Sequence, residues 1–278
     1  MRRDVYSLSD AEWNAFVNAL QAVKASGVYD EFTRRHMLAM MQLTLLPGET
    51  GNRNVAHNGP SFFPWHRSSL RELEIHLQQV DPDVWIPYWP WEREGLAWPT
   101  APIWGPNRMG GDGNGSGRRI TTGPFVGWRS IIYSNGTFVF RNGIVRRFRT
   151  TVAMPVWDGM SVATYDVSPW SNRSNRRRSF RAAFERPHNL VHTTIGGDMT
   201  AGTSPNDPIF WLHHANVDRA WATWQTRFGL NNFQPVSGAP LGHNRDDVLI
   251  FQEAPNRRIS DTFNWRAMGY SYDTLETS

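Results

Sequence analysis

The chain has 278 residues, 40% of them hydrophobic and 13% aromatic, which is the composition of a globular protein with a sizeable core. It has no cysteine, which excludes disulfides, thiolate metal sites and cysteine nucleophiles. The formal net charge is +4, and we expect no nucleic-acid partner because the basic residues accompany no groove-reading motif. Two arginine clusters are interpreted as solvated loops: Arg146, Arg147 and Arg149, and then Arg173 with Arg176 to Arg178.

The sequence has no membrane or secretion signal of the usual kind. It lacks an uncharged apolar run of membrane-spanning length, and its start has no apolar stretch like that of a signal peptide. We therefore expect a soluble protein that stays in the cytoplasm unless a carrier protein exports it, and no membrane partner. No repeat of fixed period and no linker divides the chain, so we expect one domain over residues 1–278.

Helical periodicity begins near the N-terminus. Ser9 and Glu12 have the spacing of a capping box, and apolar residues follow at helical spacing until Gly27. A second helix is predicted over residues 29–41, with His36 on its inward-facing side. A third is predicted over residues 64–80, after a loop rich in asparagine and glycine.

The middle of the chain, residues 90–160, is dense in glycine, proline and tryptophan, which predicts irregular loops with short strands such as residues 137–140. Helical patterning resumes at Ser179, and we expect it to break at Pro187 and to restart at His188. Asp207 followed by Pro208 predicts the start of a last helix over residues 209–228, before an irregular tail.

Six of the nine histidines form two triplets. An isolated buried histidine is usually a hydrogen-bonded core residue, so one triplet alone would be weak evidence. The pair at positions 188 and 192 has i, i+4 spacing, which places both rings on one helix face, and a third ring from another helix completes a three-nitrogen site. A loop histidine joins two helical ones in the other triplet. The two triplets are His36, His57 and His66, and His188, His192 and His214.

Two segments resemble the copper-binding signatures of the tyrosinase and hemocyanin family, the type-3 copper proteins: residues 60–67, Pro-Ser-Phe-Phe-Pro-Trp-His-Arg, and residues 206–218, which end in His-His-Ala-Asn-Val-Asp. The similarity extends from the first helix to about Gly229 and is closest to bacterial tyrosinases and bacterial o-aminophenol oxidases. It implies that each triplet binds one copper ion, with His214 as a ligand and His213 beside the site. It also implies a mainly α fold, in which a four-helix bundle core holds the copper pair among long irregular loops and few short strands.

The resemblance implies an enzyme. We expect a dinuclear copper oxidase that uses O2 to oxidise o-aminophenols and o-diphenols (catechols) to quinone imines and quinones. A tyrosinase that also ortho-hydroxylates monophenols, and so acts as a monooxygenase, is the alternative. A hemocyanin-like oxygen carrier is less favoured because the final fifty residues are too few for a shielding domain. A zinc hydrolase is disfavoured because no carboxylate stands at ligand spacing. By resemblance to some bacterial members of the family, a small helper protein is a possible partner that delivers copper.

Residues around the second triplet bear on the substrate. By position, Glu185 and Asn189 match the family's glutamate and asparagine that are thought to hold a water for deprotonating a monophenol. Glu185 could instead pair with an arginine at 176–178. Thr193 and Thr203 are expected to border a polar substrate pocket, which favours small polar aminophenols or hydroxybenzoate-like substrates.

Four further residues receive other roles. His76 lies off the ligand face of its helix and is given no metal role. His243, in the irregular tail, is interpreted as a surface residue. Asp218 and Arg219 are expected to lie on the helix surface or to orient ligand histidines through hydrogen bonds.

Overall fold

The computed structural model describes residues 1–44, 53–170 and 176–275, so Arg173 lies outside the described residues. The expectation of a mainly α fold with few short strands is confirmed. The described residues form five α-helices and two antiparallel two-stranded sheets: α1 (Asp10–Ala25), α2 (Val28–Met41), β1 (Leu43–Thr44), β2 (Arg53–Asn54), α3 (Phe62–Val80), β3 (Arg129–Ser134), β4 (Thr137–Asn142), α4 (Phe180–Ile195) and α5 (Ile209–Phe228). None of these helices is long and apolar enough to cross a bilayer.

Helix α1 begins at the predicted capping box. The Ser9 side chain accepts a hydrogen bond from the backbone N–H of Glu12, and the Glu12 side chain accepts one from the backbone N–H of Ser9. Two N–H groups that would otherwise lack partners are thereby satisfied. Gly27 then turns the chain into α2 with a φ of +84°, a left-handed conformation that glycine adopts without steric cost.

Helix α3 is the centre of the helical core, because it packs against α1, α2, α4 and α5. Its apolar side chains recur at helical spacing and are almost completely buried: Phe62, Phe63, Leu70, Leu73 and Leu77. Arg67 on the same helix is also buried, and its guanidinium lies 3.6 Å from the ring centroid of Trp221 on α5. Residues 62–70 of α3 are all buried, and this packing fixes the direction in which His66 points.

Helix α4 corrects one prediction. The expected break at Pro187 does not occur, and the helix is continuous over Phe180–Ile195 with the proline inside it. Proline lacks an N–H and so removes one intrahelical hydrogen bond. The helix continues because the segments on both sides are held by the core, through Phe184 before the proline and Val191 after it, each fully buried. Glu185, before the proline, and His188 and His192, after it, therefore lie on one continuous helix.

Helix α5 begins as the sequence predicts, and its start corrects the interpretation of one arginine. The Asp207 carboxylate accepts a hydrogen bond from the backbone N–H of Ile209 at 3.2 Å. The same carboxylate receives two hydrogen bonds from Arg146, at 2.7 and 2.8 Å, in an ion pair closed to solvent. Arg146 is therefore a buried structural residue and not part of a solvated loop, because its charge is matched by Asp207.

The predicted strand at 137–140 is the start of β4, which pairs with β3 in a hairpin. The turn consists of Asn135 and Gly136, with φ values of 49° and 79°. Positive φ at both central residues is the backbone of the tight hairpin turn that the Asn-Gly dipeptide favours. That dipeptide was a signal for the partner strand β3, which the sequence reasoning did not identify.

The N-terminus and the C-terminal tail meet at Asp218 on α5. This buried carboxylate accepts hydrogen bonds from Arg2, Arg67, Tyr270 and Tyr272 at 2.5–2.7 Å. The two arginines hold the pKa of Asp218 below its usual range against the effect of burial. The expectation that Asp218 lies on the surface or orients a ligand histidine is wrong, because its bonds fasten both chain ends to the helical core. Arg219 is equally buried and bonds Glu92 and the carbonyl of Thr274.

Candidate metal centre

The helical core brings all six predicted histidines together. Five lie on the four helices α2 to α5, and the sixth lies in the loop between β2 and α3. All six rings are at least nine-tenths buried. In each triplet, one nitrogen atom of each ring lies within 4.8 Å of those of the other two rings. A nitrogen of His213 lies within the same distance of those of the second triplet.

The second triplet forms a tight arrangement of ring nitrogens. The Nε2 atoms of His188 and His192 are 3.1 Å apart, and the Nε2 atom of His214 lies 3.3 and 3.4 Å from them. Three atoms at these separations are equidistant from a point about 2 Å from each, which is the usual distance between a metal ion and an imidazole nitrogen. The spacing of these three nitrogens therefore fits one metal ion.

The hydrogen bonds on the other side of the rings decide which nitrogens carry protons. His192 Nδ1 lies 2.7 Å from the carbonyl oxygen of Met199, and His188 Nδ1 lies 3.1 Å from the side-chain oxygen of Asn189. These oxygens only accept, so each Nδ1 must donate and each Nε2 of the neutral ring has a lone pair. Two lone pairs facing each other at 3.1 Å repel unless a cation lies between them.

The first triplet follows the same rule. His36 Nδ1 donates to the carbonyl oxygen of Gly202 at 2.7 Å, and His66 Nδ1 donates to that of Phe62 at 2.8 Å. The Nε2 atoms of both rings are buried and have no hydrogen-bond partner among the described residues, and neither has Nδ1 of His57. Buried nitrogens without a partner are costly, and a shared metal ion would satisfy them.

The two triplets are in contact with each other. The rings of His66 and His214 are stacked with their centroids 4.1 Å apart, and the rings of His57 and His188 are 5.7 Å apart. Metal ions held by neighbouring triplets can bind one small molecule jointly. Burial lowers the pKa of His36 and His192 to about 4, so both rings are neutral and available as ligands at neutral pH.

The geometry favours His214 over its neighbour His213 as the third member of the second triplet. Only His214 places a nitrogen within 3.4 Å of the Nε2 atoms of His188 and His192. The ring of His213 instead stacks on that of His188, at a centroid distance of 5.0 Å and an angle of 21°. Both nitrogens of His213 are buried without a hydrogen-bond partner in the described part of the chain.

Glu185 and Asn189 lie one turn apart on α4 and differ in their exposure. Glu185 is fully buried, receives a hydrogen bond from Arg181 at 2.9 Å, and accepts one from the backbone N–H of Asn58 at 2.6 Å. Burial raises the pKa of Glu185, while Arg181 and the Asn58 N–H oppose that rise. The arginine partner is Arg181, one turn earlier on the helix, and not one at 176–178, whose side chains are exposed. Asn189 is exposed on the helix surface beside the site.

His243 corrects the interpretation of a surface residue. Its side chain is fully buried beneath the loop of His57, where Nε2 bonds the Thr44 hydroxyl at 2.8 Å and Nδ1 bonds the Ser61 hydroxyl at 2.9 Å. A side-chain carbon added at Gly59 would lie 2.6 Å from the His243 ring, so only glycine lets the two approach this closely. The tail thus supports the loop of the first triplet through a bond between residues that are 182 positions apart in the sequence, Ser61 and His243.

The segment 196–203 supports both triplets, and the sequence reasoning missed it. Its carbonyl groups at Met199 and Gly202 orient His192 and His36, one histidine of each triplet. Gly196 and Gly197 begin the segment with φ values of 70° and 59°, and a side-chain carbon at either would lie 2.1–2.3 Å from a backbone oxygen of 145–147. The Gly-Gly dipeptide directly after α4 was the available signal.

Thr193 and Thr203, predicted to border a substrate pocket, both line one cavity of about 580 Å³, and Gly202, whose carbonyl bonds His36, lines it too. Thr193 directly follows His192 and is exposed, whereas Thr203 is buried. The cavity volume suits a small aromatic ligand. His76 lies apart from this region and pairs with Glu253 at 2.8 Å.

Comparison with known proteins agrees with the site. The family model for the common central domain of tyrosinase matches residues 26–227. The tyrosinase of Streptomyces glaucescens is 37% identical over 249 residues, which cover 86% of this chain and 88% of that protein. The grixazone synthase of Streptomyces griseus is 34% identical over 262 residues, which cover 82% of this chain and 84% of that protein.

Solved structures share the fold at low sequence identity. A functional unit of Octopus hemocyanin has a TM-score of 0.63 at 18% identity, covering 100% of this chain and 69% of that chain. A tyrosinase from Burkholderia thailandensis has a TM-score of 0.52 at 17% identity, covering 100% of this chain and 74% of that chain.

A helical core with two facing histidine triplets defines the class of dinuclear type-3 copper proteins. Within that class, the chain belongs to the tyrosinase family. It is a copper phenol oxidase that uses two copper ions and O2 to act on phenolic substrates.

Proposed function

We propose that His36, His57 and His66 hold one copper ion and that His188, His192 and His214 hold the other. The supporting observation is the set of buried lone pairs: four acceptor oxygens fix the protons of His36, His66, His188 and His192 on Nδ1, and each Nε2 faces the space between the rings. Six neutral imidazoles without a carboxylate suit copper.

We further propose that the enzyme oxidises o-aminophenols and o-diphenols to quinone imines and quinones. Two substrate molecules each lose two electrons and two protons, and one O2 takes them up to give two waters. When bound, the copper pair supplies the path for these electrons from the phenol to O2. The chain's own residues hold the rings in place, exclude bulk water from the buried histidines, and present the substrate through the cavity beside Thr193 and Thr203.

One observation favours these substrates over monophenols. The groups that could hold a deprotonating water already have partners: Glu185 bonds Arg181 and the Asn58 N–H, and the Asn189 oxygen bonds His188. Catechols and o-aminophenols need no oxygen inserted into the ring, so their oxidation depends less on a positioned base. Oxidation of these substrates is therefore the function that the site supports best.

The test is oxygen uptake by the copper-loaded protein on three matched substrates, a catechol, an o-aminophenol and a monophenol. We expect rapid uptake without a lag on the first two and slower uptake on the monophenol. Monophenol turnover as fast as catechol turnover would contradict the proposal.

Monophenol hydroxylation is the second candidate, because Glu185 and Asn189 are both present and several relatives at 34–37% identity are named tyrosinase. If the pair serves this reaction, Asn189→Ala should lower the rate on a monophenol more than the rate on a catechol. An equal fall on both substrates would show that Asn189 acts only by orienting His188.

Copper delivery and location complete the proposal. The six histidines are at most 9% exposed, so copper has to pass other side chains to reach them. We therefore propose that a small helper protein assists copper loading. We also propose that the enzyme acts in the cytoplasm unless a carrier exports it.

A further inference from the structure

The lining of the cavity at Thr193 and Thr203 combines two kinds of side chain. Met37, Ile132 and Tyr133 are apolar or aromatic, which suits the ring of a phenol. Arg147 and Arg149 also line the cavity. The cavity is connected to the site through Gly202, whose carbonyl accepts a hydrogen bond from His36 Nδ1, and through Thr193, which directly follows His192.

The arginine segment is fixed in place by its backbone. The N–H of Arg147 donates to the carbonyl of Ile195 at 3.2 Å, and the N–H of Arg149 donates to that of Thr194 at 2.9 Å. Both residues line the same cavity, and these main-chain bonds tie their segment to the end of α4.

The charge of these two arginines is not balanced nearby. Arg141, the third arginine of the cavity, is matched by two hydrogen bonds to Asp198, at 2.5 and 2.7 Å. No ion pair to a carboxylate occurs for Arg147 or Arg149 within the described ranges, and both side chains are exposed. The cavity therefore has two surplus positive charges next to an aromatic wall.

We infer that the enzyme selects phenols that bear an anionic substituent, such as a carboxylate, and that Arg147 and Arg149 bind this group. The inference rests on the proposed oxidase function and adds the substrate class to it. The aromatic ring packs against the wall of Ile132 and Tyr133, and the anion lies towards the arginines. A planar guanidinium can bind a carboxylate through two hydrogen bonds, which arginine does better than lysine.

The test compares three catechols that share one propyl-type side chain and end in a carboxylate, a neutral amide or an ammonium group. Oxygen uptake by the copper-loaded enzyme gives kcat and KM for each. We expect kcat/KM for the carboxylate to exceed that for the amide by about tenfold, because each exposed ion pair contributes roughly twofold to fivefold. The difference should appear in KM and shrink as salt is raised, and the ammonium compound should be the poorest substrate.

Variants locate the effect. In R147Q/R149Q the ratio of kcat/KM between carboxylate and amide should fall to about one. Arg258 is an exposed arginine away from the cavity, and R258Q should keep the wild-type ratio. Equal kcat/KM for carboxylate and amide in the wild type, or a preference that survives in R147Q/R149Q, would overturn the inference. Failure to oxidise even the neutral amide would instead refute the proposed function.

Discussion

The two histidine triplets are built in different ways. The second stands on two helices, and two of its members share one helix face at i, i+4 spacing. The first depends on the loop residue His57. Its neighbour Asn58 donates its backbone N–H to Glu185, 127 residues later in the chain, and His243 in the tail bonds the same loop at Ser61. The second triplet is thus a product of local helical structure, whereas the first requires the whole chain to be folded.

This difference suggests that the triplets respond unequally to changes outside the rings, although both are needed for catalysis.

The largest effect should come from the rings themselves. Replacing His66 or His214 with alanine should reduce oxygen uptake on a catechol to the background rate, because a single copper ion cannot pass electrons to O2 as the pair does. Circular dichroism should show that each variant remains folded. Substantial oxidase activity in either variant would refute the ligand assignment.

The next effect concerns the loop of His57. Glu185→Ala removes the acceptor of the Asn58 N–H, so we expect copper at the first triplet to be lost about 10–100-fold more readily, as when outer partners of metal ligands are removed. Copper at the second triplet should be retained more firmly. Competition with a chelator measures both steps.

Glu74→Ala is the matched control for this variant, because Glu74 is also a buried carboxylate paired with an arginine, Arg2. It should lower stability without changing copper retention. Equal loss of both coppers in Glu185→Ala would show that the carboxylate serves the fold in general and not the His57 loop.

A smaller effect is expected at Gly59. An alanine there would bring its side chain to 2.6 Å from the His243 ring, so the loop or the ring must shift. Overpacking of this kind costs about 1–3 kcal/mol in the free energy of unfolding. Chemical denaturation should show this loss. Gly117→Ala is the matched control, because its backbone is not left-handed either and an added side-chain carbon would meet no atom closer than 3.7 Å. A loss in Gly117→Ala as large as that in Gly59→Ala would argue against the contact.

The remaining effect is a pH dependence. Burial, aided by Arg53 and Arg181, lowers the pKa of His243 from 6.5 to about 3. The unfolded chain takes up a proton below pH 6.5 while the folded chain does not, so the contribution of this residue to stability is complete above pH 6.5 and declines as the pH falls towards 3. The decline is at most about 1.4 kcal/mol per pH unit.

His243→Asn should therefore flatten the fall in Tm between pH 7 and pH 4.5 relative to the wild type, measured with the same metal content in both. The other histidines titrate equally in the two proteins and cancel in the difference. Identical slopes would show that His243 does not remain neutral in the folded protein.

The contrast between the triplets also explains what the sequence could predict. The helices and the histidines of the second triplet are encoded locally, by spacing, capping residues and the signature around His214. The support of the first triplet is not, because the bonds of Glu185 and His243 join segments more than a hundred residues apart. Arg146 was misjudged for the same reason, since its partner Asp207 is 61 residues away. The break expected at Pro187 failed because core packing outweighed one missing hydrogen bond.

The most direct measurement is the copper content of the fully loaded protein by elemental analysis, for the wild type and for H66A and H214A. Two triplets that each hold one ion predict two coppers per chain in the wild type and one in each variant. A wild-type value well below two, or two coppers retained in either variant, would contradict the account.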